Sequence, residues 1–105
     1  MDDSHQIEVP PSFTQLYAAP GGYKLTEPMA AVRERYELCE DLTQMLTEQA
    51  SNTLHALGIT EIDVLEKMGQ ALAAPGSPVQ PAEARWVVRR LAELLHWEDP
   101  GPGAA

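Results

Sequence analysis

Cysteine, which forms disulfides, and histidine, which together with cysteine binds many metals, are scarce in this chain of 105 residues. The single cysteine, Cys39, excludes a disulfide within the chain and a cysteine-based metal framework. The three histidines, His5, His55 and His96, lie in separate segments and do not form the closely spaced pair that binds zinc. We therefore expect no bound metal and a reducing, cytoplasmic location.

Basic residues are also few. Lys and Arg total 7 against 16 Asp and Glu, so the formal net charge is -9 at pH 7. This balance disfavours nucleic acid, whose phosphates must be neutralised by Lys and Arg, and it disfavours an anionic membrane surface. No run of apolar residues approaches the roughly 20 needed to span a bilayer. Residues 1–4 are acidic, unlike the start of a secretory signal. The expected partner is another protein.

Catalytic motifs are missing as well. The loop that cradles phosphates in nucleotide-hydrolysing proteins is absent, since Lys24 follows Pro20-Gly21-Gly22 with the wrong spacing. Cys39 falls on the apolar side of a predicted helix, where a thiol packs as a small apolar group. Three acids on the outer side of that helix lack a facing set of ligands and fit a solvated surface: Glu37, Glu40 and Asp41. We expect no catalytic residue and no cofactor, and therefore no enzyme.

One long helix, about 28–57, is the strongest pattern in the sequence. Pro28 suits a first helical turn, the stretch contains no internal Pro or Gly, and Gly58 follows it as a left-handed cap. Apolar or small residues recur at spacings of three and four, which indicates an amphipathic helix: Val32, Tyr36, Cys39, Leu42, Leu46, Ala50, Thr53 and Leu57. Three further residues are expected to broaden this stripe: Leu38, Met45 and Leu54.

Two shorter helices follow, at about 61–73 and 81–97. Thr60 is placed to cap the first of them, with Asp63 three residues on. Pro81 fits the first turn of the second, after a linker rich in proline. These signals predict an all-α fold, a three-helix bundle with one long central helix and an extended N-terminal arm.

The pattern divides the chain into three parts. Residues 1–27 form the N-terminal arm, partly disordered and with a short apolar turn. Residues 28–97 form the helical domain, and the Pro- and Gly-containing residues 98–105 are predicted to be a disordered tail. A core of this size gains stability from a partner or a second copy, so a homodimer is an alternative assembly.

Phe13, Leu16 and Tyr17 place three large apolar side chains within an arm that is otherwise predicted to be flexible. Two interpretations stay open. The arm packs back onto the helices of its own chain, or it is a short linear motif that docks on another protein.

Arg85, Arg89 and Arg90 are the one basic cluster of the chain, and Trp86 lies among them. Three interpretations stay open for this cluster. The arginines pair with acids of the long helix, in the same chain or in another subunit; they dock an acidic partner surface; or they contact nucleic acid. Aromatic and arginine residues dominate interface hot spots, so Trp86 is a candidate anchor if it is exposed.

Three segments resemble small, uncharacterised proteobacterial proteins, some of which are labelled as ATPases with chaperone activity. These segments are residues 9–13 (VPPSF), 36–42 (YELCEDL) and 83–91 (EARWVVRRL), and the resemblance spans residues 7–98. The label implies nucleotide hydrolysis, but the sequence has no phosphate loop. The resemblance therefore implies an accessory of a larger ATPase or chaperone machine, and it transfers no catalytic residue.

We expect a non-catalytic protein–protein interaction module, which acts as an adaptor or as an accessory or regulatory subunit. Its predicted working parts are the Phe13, Leu16 and Tyr17 arm and the arginine-bearing last helix. The alternative is a transcriptional or nucleic-acid-linked regulator that uses the last helix, and such a protein should bind more weakly as salt rises.

Overall fold

The computed structural model describes residues 8–22 and 24–98. This part of the chain is all-α, as the sequence predicts, and it contains no strand element. A 3₁₀ turn, Gln15–Tyr17, accompanies four helices: α1 Pro11–Thr14, α2 Met29–Leu57, α3 Glu61–Ala73 and α4 Pro81–Leu95. None of these helices is both long enough and apolar enough to cross a membrane. The sequence predicts partial disorder within residues 1–27 and a disordered tail for residues 98–105; of these segments, residues 1–7 and 99–105 lie outside the described residues.

The residues fall into two compact units that divide after Leu38. The long helix α2 contributes its first turns to the first unit and the rest, from Cys39 onward, to the second. The boundary between the units therefore lies within α2.

In the first unit, residues 8–22 contain two consecutive helical turns, and residues 24–27 run back beside them. Pro10 and Pro11 begin the first turn, because proline is accommodated where a helix needs no N–H donor. After the 3₁₀ turn, Ala18 forms an antiparallel bridge with Leu25. The N–H of Thr26 donates to the Tyr17 carbonyl at 2.6 Å and secures this return. The described part of the arm is thus folded.

In the second unit, residues 39–57 of α2 pack with α3 and α4 around one apolar core. Its buried members come from all three helices: Ala50, Val64, Leu65, Met68, Val88, Leu91 and Ala92. Partly buried side chains surround them: Leu46, Leu54, Ile59, Leu72, Leu95 and Trp97. This is the three-helix packing that the apolar periodicity predicts, because each helix buries one stripe against the other two.

The turn from α2 to α3 follows the predicted local signals. Gly58 has a φ of 62°, a left-handed conformation that glycine adopts without a steric penalty. The N–H of Asp63 donates to Thr60 Oγ1 at 3.1 Å, and the N–H of Thr60 donates to Asp63 Oδ2 at 3.4 Å. This reciprocal capping box satisfies two N–H groups that the start of α3 would otherwise leave unpaired.

Helix α4 ends at Leu95, two residues before the predicted end. His96 adopts a left-handed backbone with a φ of 58° and lies just past the last helical residue. The N–H of Trp97 donates to the Ala92 carbonyl at 2.8 Å, and the N–H of His96 donates to the Glu93 carbonyl at 3.2 Å. This is a Schellman-type ending, in which the residue after the turn returns to the core. Trp97 packs against the apolar core accordingly.

Candidate functional site

The apolar residues of the arm lie largely inside the first unit. Phe13 has no exposed surface, and its ring contacts Tyr17 and Tyr36 at centroid distances of 5.8 and 5.6 Å. Tyr17 is buried and Leu16 is half-buried. Tilted and edge-on ring pairs of this kind add stability beyond the apolar area they bury. In this conformation the arm packs on its own chain, which is the first of the two interpretations. A partner would not reach Phe13.

The arginine cluster of α4 is divided between the interior and the surface. Trp86 is only 8% exposed and is therefore not available as a surface anchor. Arg85 and Arg89 are exposed, four residues apart on one side of α4. Arg90 is half-buried, because it turns toward α2. Of the basic cluster, Arg85 and Arg89 are therefore the arginines that lie at the surface.

Arg90 forms a two-pronged ion pair with Glu40 of α2. Its Nε donates to Glu40 Oε1 at 3.0 Å, and its Nη2 donates to Oε2 at 3.1 Å. Gln44 Nε2 donates to the same carboxylate at 2.9 Å, and Arg90 Nη1 also reaches Glu93 at 3.1 Å. The arginine hydrogen bonds hold the pKa of Glu40 below its ordinary value, and Glu40 in turn raises the pKa of Arg90. This is the pairing with acids of the long helix that was one of the three interpretations.

A surface that the sequence did not identify lies on α2. Met45 was expected to broaden the buried stripe, but it is 73% exposed. Thr43 is fully buried, and a residue two positions further along a helix lies about 200° around the axis from it. Met45 therefore projects from the outer side. A helical projection centred on the predicted apolar stripe could have shown this outward position of Met45, whereas counting apolar spacings did not.

The outer face, as we define it, comprises Met45, Gln49, Asn52 and Ala56. All four are exposed, and they recur at intervals of four, three and four residues along one side of α2. Together with the flanking Glu48 and Thr53 they line a shallow, open depression. The outer face is uncharged along its centre, which is unusual for the solvent side of a surface helix.

A second exposed apolar spot lies at the turn between α2 and α3. Leu57 ends α2 and is 56% exposed, and Ile62 in the first turn of α3 is 40% exposed. Ile59 between them packs against the core instead. The hairpin tip thus presents two large aliphatic side chains to solvent.

The remaining reactive or polar groups have local structural roles or stand apart. Cys39 is buried, and its carbonyl accepts a hydrogen bond from Thr43 Oγ1 at 2.6 Å. Within residues 8–22 and 24–98, no group of three or more His, Cys, Asp or Glu residues is arranged to hold a metal ion. In the same residues, Arg33 Nε is buried without a hydrogen-bond partner. His55 is exposed in the last turn of α2, His96 is exposed just past the end of α4, and His5 lies outside the described residues.

Comparisons with protein-family models, with curated proteins and with solved structures find no match to this chain. The function of this protein is therefore inferred from the geometry of each unit.

Proposed function

We propose that this protein is a non-catalytic protein–protein interaction module, an adaptor or accessory subunit, and that it binds its partner through the outer face of α2. The observation that carries the proposal is the exposure of Met45, which is 73% exposed in the middle of a regular helix. Burying such a side chain contributes roughly 1.5–3 kcal/mol, which the protein by itself leaves unused.

The chemistry of the outer face supports this role. Methionine is unbranched and polarisable, so it adapts to varied partner surfaces and is enriched in interfaces. Gln49 and Asn52 offer amide donors and acceptors next to it, and Ala56 lets a partner backbone approach closely. A central apolar contact with polar groups around it is the usual anatomy of a docking surface.

The setting we propose is the cytoplasm, where a lone buried thiol such as Cys39 stays reduced. The resemblance to proteins labelled as ATPases with chaperone activity is the reason for naming a chaperone or ATPase machine as the assembly it serves. The exposed arginines of α4, Arg85 and Arg89, make a secondary contact with the partner in this proposal. With Arg90 paired to Glu40, only Arg85 and Arg89 remain exposed, too few to favour the nucleic-acid-linked alternative.

The test is to capture partners from native cells with the full chain and with Met45→Asp. We expect at least one protein retained by the wild type to be lost with the variant, because a carboxylate desolvates poorly in an apolar contact. Met29→Asp is the matched control, since Met29 is also exposed on α2 but lies in its first turn. Both variants should keep the wild-type melting temperature. Identical partner profiles for wild type and Met45→Asp would contradict the proposal.

A further inference from the structure

We infer that the partner of the outer face is an amphipathic helix whose apolar stripe is flanked by Lys or Arg. The inference rests on the proposed function, because it names the kind of partner that the same surface takes. Three features favour such a partner: the charges beside the outer face, the spacing along it, and the poor fit of the other available occupants.

The charges beside the outer face have one sign. Asp41 lies one turn before Met45 and Glu48 lies one turn after it, and both are exposed. Between residues 41 and 57 the sequence contains no Lys or Arg, and His55 is the only basic residue type. Both carboxylates lie on the same side of Met45 around the helix axis, so a partner that lays apolar side chains over Met45 brings one flank next to them. Lys or Arg on that flank would be attracted, whereas Asp or Glu would be repelled.

The spacing of the outer face suits a helix as the docking element. Positions 45, 49, 52 and 56 follow the four-three-four rhythm by which the seam of one helix receives side chains of another. From the first to the last position this seam is about 16 Å long, or three helical turns. The amides of Gln49 and Asn52 lie within the seam, where polar side chains fix the register of paired helices.

The part of the chain that the structure describes offers no matching occupant. Two copies that met through their outer faces would bring the carboxylates of Asp41 and Glu48 together, in molecules that each carry a net charge of -9. The exposed side of α4 has the opposite sign at Arg85 and Arg89, but it lacks an apolar stripe to cover Met45. The partner that fits is therefore a different, basic molecule.

The experiment measures binding of the full chain to two synthetic helical peptides of about 18 residues, long enough to form the required turns. Both carry the same leucine stripe, and one has Lys at every flanking position where the other has Glu. We expect the Lys peptide to bind at least about tenfold more tightly than the Glu peptide, with an affinity that falls as NaCl is raised.

Variants show whether binding occurs at the outer face. Met45→Asp should weaken binding of the Lys peptide by about tenfold or more. The double change Asp41→Asn with Glu48→Gln should weaken it several-fold and reduce its salt dependence. The matched control, Glu27→Gln with Glu98→Gln, makes the same change in net charge at exposed sites outside the helices and should leave binding nearly unchanged.

Four results would overturn the inference. They are equal binding of the two peptides, no binding of the Lys peptide, equal loss in the two double variants, and self-association of the chain that Met45→Asp abolishes. The last would assign the outer face to a second copy. If Met45→Asp loses a cellular partner while the Lys peptide shows no preference, the proposed function stands and this inference fails. If Met45→Asp loses no cellular partner, the proposed function itself fails.

Discussion

At the scale of single residues, the pair of Glu40 and Arg90 is the most informative contact, because it joins α2 to α4 through charge. The sequence indicated that an arginine of the last helix could meet an acid of the long helix. It did not indicate which ones, since the two partners are 50 residues apart and their meeting depends on how each helix is rotated about its axis. Local sequence patterns show which residues are charged, but they do not show how each helix is rotated about its axis.

Glu40→Gln should lower the free energy of unfolding by about 1 kcal/mol at pH 7, because the half-buried pair then loses its ionic hydrogen bonds. Glu40 has a lowered pKa in the folded protein, so its contribution is fully present above the ordinary value of 4.5. It is lost as pH falls below 4.5 through the lower folded pKa. The difference between wild type and variant, measured by urea unfolding, should therefore shrink as the solution becomes acidic.

Glu93→Gln is the matched control for this pair. Glu93 also contacts Arg90, but its side chain is 69% exposed against 19% for Glu40, so solvent screens the interaction. We expect little change in stability at any pH. A loss as large as that of Glu40→Gln would mean that burial does not set the strength of this network.

At the scale of elements, the turn from α2 to α3 and the start of α4 were easier to predict than the buried face of α2 and the end of α4. Gly58, Thr60 and Pro81 carry their conformational preferences in the residue type itself, and α3 and α4 begin where these residues indicate. The end of α4 carries a weaker signal, because histidine adopts a left-handed backbone far less readily than glycine, the usual residue at this position. The outward direction of Met45 was missed for a related reason. An apolar side chain does not reveal which side of its helix is covered.

His96→Gly should raise the free energy of unfolding by about 1 kcal/mol, because glycine removes the steric cost of the left-handed conformation that ends α4. The same substitution at His55 should do the opposite. His55 is exposed within the last turn of α2, where glycine lowers helix stability by about 0.5–1 kcal/mol. Both changes are measured by thermal and urea unfolding. Equal signs for the two variants would show that the loss of the histidine side chain dominates over the backbone effect.

At the scale of the whole molecule, a small buried apolar core must stabilise a chain that has a large excess of negative charge. The buried side chains include Phe13 and the members of the helix core around Leu65, and the sequence predicted the burial of this core better than that of Phe13. Helical periodicity marks the core of packed helices. A short segment such as the one around Phe13 has no periodicity, so its burial could be offered only as one of two interpretations.

The net charge of -9 leads to a prediction about salt. Like charges repel one another most when they are held in a compact fold, so screening them should stabilise that fold. Raising NaCl from about 10 mM to about 0.5 M shortens the screening distance several-fold, and we expect the melting temperature to rise by a few degrees. The variant Asp41→Asn with Glu48→Gln removes two of the negative charges at exposed positions, so it should melt higher at low salt and respond less to NaCl. A melting temperature that falls with salt would mean that attractive pairs such as Glu40 with Arg90 outweigh the general repulsion.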